Sequence, residues 1–277
     1  MGILNVTPDS FSDGNLYFER DKAVKHGLDL VKEGADIIDV GGESSRPGSN
    51  RIPVEEELRR ILPVLSELRE SSDILLSVDT TKAEVARRAL DAGADIINDI
   101  SSLQFDAEML PLAAEREAPV ILMHKKGDPK TMQENPFYEN LLVDVKSFFQ
   151  ERIGMAVSSG IKREKIILDP GIGFGKKFDD NLNLIRNLRI FEDLERPLLV
   201  GLSRKSFIGK IVGQPTQDRL EGSLSAAVLS LSNGAHMVRV HDVAATKKAV
   251  LVADAILNEK EPVTPISERG KNQHYVF

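Results

Sequence analysis

Cysteine is absent from the 277-residue chain, which excludes disulfide bonds, thiolate metal ligands and a cysteine nucleophile. Long apolar runs are absent too. None approaches the ~18 consecutive apolar residues that a membrane-spanning helix needs, and the opening residues lack the charged-then-apolar order of a secretory signal. Basic residues are in deficit: 36 Lys and Arg stand against 43 Asp and Glu, a net charge of −7 at pH 7. Such a chain does not present the basic surface that nucleic acid demands. Gly and Pro, at 20 and 13, show neither collagen-like periodicity nor low complexity. What these absences leave is a globular protein with no nucleic-acid or membrane partner, expected in the cytoplasm.

What is present alternates. Short runs of aliphatic residues occur at Ile3–Val6, Ile37–Val40, Leu75–Val78, Ile96–Ile97, Val120–Met123, Ile166–Leu168, Leu198–Val200 and Met237–Val240. Near-continuous runs of this kind predict parallel strands buried on both faces. Between them the pattern changes to a helical period, with Val24, Leu28 and Val31 on one face, Leu58, Leu62, Leu65 and Leu68 on another, and Leu141, Val145, Phe148 and Phe149 on a third. Thr81-Lys82-Ala83-Glu84 has the form of a capping box. Gly34, Gly93, Gly160 and Gly234 stand where helices should stop.

An internal repeat sharpens the pattern. Gly34-Ala35-Asp36-Ile37-Ile38-Asp39 returns as Gly93-Ala94-Asp95-Ile96-Ile97-Asn98 and, more loosely, as Gly234-Ala235-His236-Met237-Val238-Arg239. Each copy reads as helix stop, tight turn, buried strand and a polar residue at the strand's carboxyl end. Eight strand–helix units in about 250 residues favour an α/β fold of one (β/α)8 TIM barrel over an open doubly wound sheet. The barrel is expected to span residues 1–257, followed by a loosely attached tail over 258–277.

Active sites of such barrels lie at the carboxyl ends of the strands. Those ends carry Asn5, Asp39, Asp79, Asn98, His124, Asp169, Ser203 to Lys205, and Arg239 with His241. One polar strand end is ordinarily a local hydrogen bond or a helix cap; eight in a ring predict a site. Asp79, Asn98, Asp169 and Lys205 suit a flat heterocycle with adjacent N–H and C=O groups. Asn5, Arg46, Arg239 and His241 suit an anion such as phosphate. The turn-rich segments Thr7–Gly14 and Gly41–Gly48 read as surface connections or as lids. Asp169–Lys176 is neither a Walker A loop nor a dinucleotide fingerprint, though its glycines admit a closely approaching ligand. No His/Asp/Glu set has zinc spacing and no nucleophile elbow is present. His26 and His274 read as surface residues, and His236 as a turn residue.

Taken together, Met1–Gly14, Asp39–Gly48, Ser77–Thr80, Ile97–Ile100, Leu168–Lys176, Gly201–Ser206 and Arg239–Asp242 closely resemble the motifs of the dihydropteroate synthases, in that family's order. The resemblance implies a transferase of folate biosynthesis. It would join 6-hydroxymethyl-7,8-dihydropterin pyrophosphate to p-aminobenzoate with Mg2+, giving 7,8-dihydropteroate and pyrophosphate. It also implies a homodimer inhibited competitively by sulfonamides. Asp79, Asn98, Asp169 and Lys205 would hold the pterin, with Arg239 against its ring. Asn5 would help bind Mg2+, while Asn5, Arg46, Arg239 and His241 would hold the pyrophosphate. Ser45, Pro47, Phe174, Lys205 and Ser206 would surround p-aminobenzoate. Asn5, Arg46, Asp79, Lys205, Arg239 and His241 would then carry catalysis.

Three positions depart from the family's pattern. Ser45 stands where Thr is usual, Lys125-Lys126 where Met-Gln is usual, and the first strand opens the chain where many members place an extension ahead of it. Three rivals share parts of this reading: a pterin-binding methyltransferase using methyltetrahydrofolate, a Schiff-base aldolase using Lys205, and a non-catalytic pterin-binding barrel.

Overall fold

The computed structural model describes residues 1–7, 16–44, 49–127, 132, 136–215 and 218–258. Within them eight strands alternate with helices. The strands are β1 (Gly2–Asn5), β2 (Ile37–Gly41), β3 (Leu75–Asp79), β4 (Ile96–Asp99), β5 (Val120–Met123), β6 (Ile166–Asp169), β7 (Leu199–Gly201) and β8 (Met237–Arg239). The helices are α1 (Leu16–Lys32), α2 (Val54–Ser71), α3 (Ala83–Asp91), α4 (Met109–Glu115), α5 (Leu141–Ser158), α6 (Phe178–Arg186), α7 (Ser206–Val212), α8 (Leu220–Ser232) and α9 (Val243–Asn258). Each expected strand is found, Val120–Met123 with the same bounds and the others displaced by a residue or two at their ends. None of the described helices is long and apolar enough to cross a membrane.

Strands β1 to β6 form one parallel ladder in chain order, and β7 and β8 a second. Single parallel bridges at Gly2↔Val240 and Leu168↔Leu198 join the two. Ile3 N–H donates to Val240 O, Val240 N–H to Met1 O and Leu168 N–H to Pro197 O, each at 2.9 Å. Neighbours in sequence are therefore neighbours around the whole ring, as in a (β/α)8 barrel.

The two-residue period of a strand sorts its side chains. Outward residues such as Leu4, Ile38, Val40, Leu76, Val78, Leu122 and Leu168 are buried beneath the helices. Inward residues begin with an apolar floor: Met1, Ile37, Leu75, Ile96, Ile121, Ile167, Leu199 and Met237 pack together, one for each strand. Two residues further up every strand the inward positions become Ile3, Asp39, Ser77, Asn98, Met123, Asp169, Gly201 and Arg239. The polar rim begins there, directly on the floor.

The helix faces differ in part from those expected. In α2 the fully buried stripe is Ile61, Val64, Leu65 and Leu68, with Leu58 and Leu62 half-buried at its margin. The i, i+3, i+4, i+7 spacing runs through two β-branched residues that a leucine-only reading passes over. In α1 the buried face is Ala23, Val24 and Leu30 with Gly27, and Leu28 and Val31 sit beside it. A Cβ on Gly27 would lie 2.8 Å from Leu68 Cδ2, so the helix pair meets there at backbone distance.

The capping box is not formed. Lys82 occupies the N-cap of α3 without a side-chain cap bond, and Asp106 Oδ2 instead accepts from Ala83 N–H at 2.8 Å, while Glu84 turns to Arg88 at 2.9 Å. The helix stops hold: Gly34, Gly93, Gly160 and Gly234 have φ between 95° and 103°, open to glycine at little steric cost. Thr7 is described but Pro8 to Gly14 are not. Ser45, Arg46, Pro47 and Gly48, the tail beyond Asn258, and His274 within it also lie outside the described residues.

Candidate active site

The repeat explains the centre of the site. Its last residues are Asp39, Asn98 and Arg239, and all three meet at one oxygen. Asp39 Oδ2 accepts from Asn98 Nδ2 at 3.0 Å and from Arg239 Nε at 2.6 Å. Arg239 then reaches across with Nη2 to Asp79 Oδ2 at 2.9 Å. Four inward side chains, from β2, β3, β4 and β8, are thereby linked in one hydrogen-bonded network above the apolar floor.

The electrostatics follow from burial. Desolvation raises the Asp79 carboxyl above its ordinary value, and the Arg239 guanidinium opposes that rise. Burial works against the Arg239 charge, but Asp39 and Asp79 together hold it above the usual value. Asp39 is fully buried, and its second oxygen, Oδ1, has no hydrogen-bond partner among the described residues. An open buried acceptor of this kind is costly until a donor reaches it.

Across the rim, Asp169 ends β6. Its Oδ1 accepts from Gly171 N–H at 2.7 Å, and burial raises its pKa against the pull of Lys205. The glycine-rich turn that follows needs its glycines. A Cβ on Gly171 (φ +65°) would lie 1.9 Å from His124 O, and one on Gly175 (φ +61°) 2.1 Å from Lys126 O. This turn presents Ile172 O to Lys205 Nζ, which donates to it. It also sets Phe174 so that Lys205 Nζ lies 4.6 Å from its ring centroid. Burial lowers the Lys205 pKa to about 8, against the opposing attraction of Asp169.

Ser206 is the first residue of α7. It opens onto a cavity of about 340 Å³ shared with Gly173, Lys177, Phe207 and Lys210. A second cleft, beside Asp79, is lined by Glu43, Ser44, Arg51, Thr80 and Ile100. His241 follows β8 and bonds Ser203 (3.2 Å from its N–H, 3.0 Å from Nδ1). Asn5 ends β1 opposite Gly41, half-buried, with no side-chain hydrogen bond to the described residues.

Asn5 also bears on a metal. Among the described residues no three His, Cys, Asp or Glu side chains gather as a metal cage. Mg2+ characteristically takes one or two protein oxygens together with water and substrate phosphate. The amide oxygen of Asn5, at the rim and without a partner among the described side chains, fits that mode.

Four placements went unforeseen. Asp39, a strand-end residue to which the motif resemblance assigns no role, is the hub of the network. His124 belongs to the expected ring, but it packs outside the rim, edge-on to Phe148 with centroids 4.9 Å apart. Lys176 is almost fully buried. Its Nζ donates to three carbonyls, Gly171 O at 2.9 Å, Phe174 O at 3.0 Å and His124 O at 3.2 Å, and lies 3.0 Å from His124 Nδ1. That lysine fastens the glycine turn, and burial lowers its pKa to about 7. The unusual pair Lys125-Lys126 is spent on aromatic faces, at 3.8 Å from the Phe105 centroid and 4.4 Å from that of Tyr138. The signal for Lys176 lay in the Gly-Lys ending of Asp169–Lys176. As expected, His26 is exposed, and His236 sits in the turn before β8.

This geometry has close relatives. The family model described as pterin binding enzyme matches residues 1–241. The dihydropteroate synthase of Escherichia coli (strain K12) is 49% identical over 261 residues, covering 94% of this chain and 92% of the relative. The crystal structure of Yersinia pestis dihydropteroate synthase with a sulfonamide drug complex superposes with a TM-score of 0.89 at 46% identity, covering 93% of this chain and 94% of that one. The Xanthomonas albilineans dihydropteroate synthase with 4-aminobenzoic acid gives 0.87 at 45% identity, covering 93% and 92%. By sequence over nearly its whole length and by fold, the chain belongs to the pterin-binding enzyme family, among the dihydropteroate synthases.

Proposed function

We propose that the rim condenses 6-hydroxymethyl-7,8-dihydropterin pyrophosphate with p-aminobenzoate by an ionisation-first substitution. The observation that carries this reading is the convergence of Asp79, Asn98, Asp169, Lys205 and Arg239 above the apolar floor. Asn98 gives one N–H to Asp39, which fixes the amide and leaves its carbonyl oxygen as an acceptor. Asp79 and Asp169 are further acceptors, suited to the ring N–H and exocyclic amine of a pterin. Lys205 supplies a donor for the pterin carbonyl, and Arg239 a guanidinium plane for its ring. Holding the ring in one orientation is itself catalytic, because it replaces a search by a fixed geometry.

The carbon–oxygen bond to the pyrophosphate then breaks, and the leaving group departs with the electron pair. Arg46 and His241 are assigned to the charge that develops there. Asn5 would help hold Mg2+ beside the substrate's phosphates, and the ion would supply further positive charge to the leaving group. The methylene carbon left behind is stabilised by conjugation with the pterin. The aromatic amine attacks it, and the proton lost from nitrogen passes to the departing pyrophosphate or to water. No strong general base is required.

Phe174, Lys205 and Ser206 line the side from which p-aminobenzoate approaches, with Ser45 and Pro47 assigned to the same subsite. The cationic cavity beside Ser206 supports that placement for a carboxylate. The sulfonamide bound by the Yersinia pestis relative supports competitive inhibition at this subsite. We assign the protein to the cytoplasm and to a homodimer on the same family grounds.

Deuterium on the reacting methylene tests the mechanism. An ionising carbon gives a normal secondary isotope effect on kcat/KM, whereas concerted displacement gives almost none. Replacement of Asp79 by Ala should abolish pterin binding, while Arg46→Ala should chiefly reduce turnover. Small and equal effects from both would refute the assignments.

A further inference from the structure

The loops after β7 and β8 are tied by two consecutive pairs. Ser203 bonds His241, and one residue further on Arg204 pairs with Asp242 through Nε and Nη2, the former at 3.0 Å. Arg204 holds a left-handed backbone, φ 59°, which a side chain adopts only when its surroundings enforce it. Its N–H donates to Ser223 Oγ at 2.9 Å and its carbonyl accepts from Arg219 at 3.0 Å. The strained turn is thus fastened on each side, and it fixes the height at which Ser203 meets the imidazole.

The hydrogen bonds at Ser203 then determine a proton. Its hydroxyl is buried, only 7% exposed, and it accepts from His241 N–H at 3.2 Å. It has one hydrogen to give, and the acceptor found for it among the described residues is His241 Nδ1, at 3.0 Å. A buried hydroxyl donates wherever it can. If Nδ1 accepts, the neutral ring carries its hydrogen on Nε2.

We propose that Ser203 is a positioning residue that selects the Nε2–H tautomer of His241, so that the neutral ring always offers a donor, never a lone pair, on the nitrogen turned away from the latch. The selection applies to the neutral imidazole, the form in which Nδ1 can accept. For its kinetic consequence alone it rests on the reading of His241 as a ligand of the leaving pyrophosphate. An Nδ1–H tautomer would turn a lone pair toward phosphate oxygen and repel it.

The test uses the full-length chain with 15N-labelled histidine at about pH 8, above the ordinary imidazole range. His241→Gln identifies the His241 signals among the five histidines. Wild type should show a protonated Nε2 and an unprotonated Nδ1. Ser203→Ala should move both nitrogens toward a mixture of tautomers, and Ser203→Thr, which keeps the hydroxyl, should restore them. Ser203→Ala should also lower kcat/KM for the pterin pyrophosphate about tenfold, leaving KM for p-aminobenzoate within twofold. A protonated Nδ1 in wild type overturns the proposal without any variant having to fold. A tautomer that shifts in Ser203→Ala while the rate stays unchanged upholds the latch and removes His241 from the pyrophosphate site.

Discussion

One guanidinium shared by two buried carboxylates sets the character of the site. Arg239 satisfies Asp39 and Asp79 only in part, leaving Asp39 Oδ1 without a partner among the described residues. Asp79→Asn keeps the shape and removes the charge-assisted bond, each such bond being worth about 1.5–3 kcal/mol. Calorimetric pterin affinity should therefore fall roughly 10- to 100-fold. Lys205 carries the opposite signature. Its folded pKa of about 8 lies below the ordinary lysine value of 10.5, so the folded state holds the charge at a cost below pH 8, and that cost fades between pH 8 and 10.5. Lys205→Met should be more stable than wild type to urea at pH 7, by roughly 1 kcal/mol, and the gain should shrink as pH rises toward 10.5, while activity is lost. A gain that grows with pH would show that the lysine is not the strained group. These residues were legible as types in the sequence, because polar side chains at buried strand ends need a reason. Their pairing was not, because it depends on which inward positions face one another across the barrel, and Asp39 was passed over for that reason.

Among the elements, the connection between β2 and α2 is fastened from a third one. Lys82, at the head of α3, donates to Glu43 at 2.6 Å and to Glu57 at 2.5 Å. Glu43 also accepts from Ile52 N–H at 2.9 Å, so the feet of the segment that carries Ser45, Arg46 and Pro47 are held by one ammonium. Glu57 is 1% exposed, and Lys82→Ala would leave it a buried unpaired charge, with an expected loss of about 3 kcal/mol in urea unfolding. Lys82→Ala with Glu57→Gln should recover part of that loss. Glycines give a paired contrast. Gly171→Ala meets backbone at 1.9 Å with a positive φ and should cost roughly 2 kcal/mol or more, with loss of turnover. Gly154, exposed in α5 with nothing within 4 Å of an added Cβ, should gain about 1 kcal/mol when replaced by Ala. Strand positions and glycine stops could be read from local pattern. The face of α2 and the failed capping box could not, because a neighbouring loop, through Asp106, supplies the cap in place of Thr81 and Glu84.

On the scale of the whole molecule, the net charge of −7 describes the surface and not the ligand. Arg239 and Lys205 interact at the rim, and Lys177 and Lys210 line the cavity beside Ser206, so the local charge there is opposite in sign to the global count. The barrel itself was legible because eight buried runs at regular spacing admit few topologies, and its floor and rim follow from the two-residue period of each strand. Which loop lies over which substrate was not legible, since loops carry no such period. The central claim is that this rim joins a pterin to an aromatic amine. Its most direct test is to incubate the purified chain with 6-hydroxymethyl-7,8-dihydropterin pyrophosphate, p-aminobenzoate and Mg2+, and to quantify 7,8-dihydropteroate by mass spectrometry. The account predicts dihydropteroate in amounts matching the pterin pyrophosphate consumed; pterin bound at the rim with no dihydropteroate formed would contradict it.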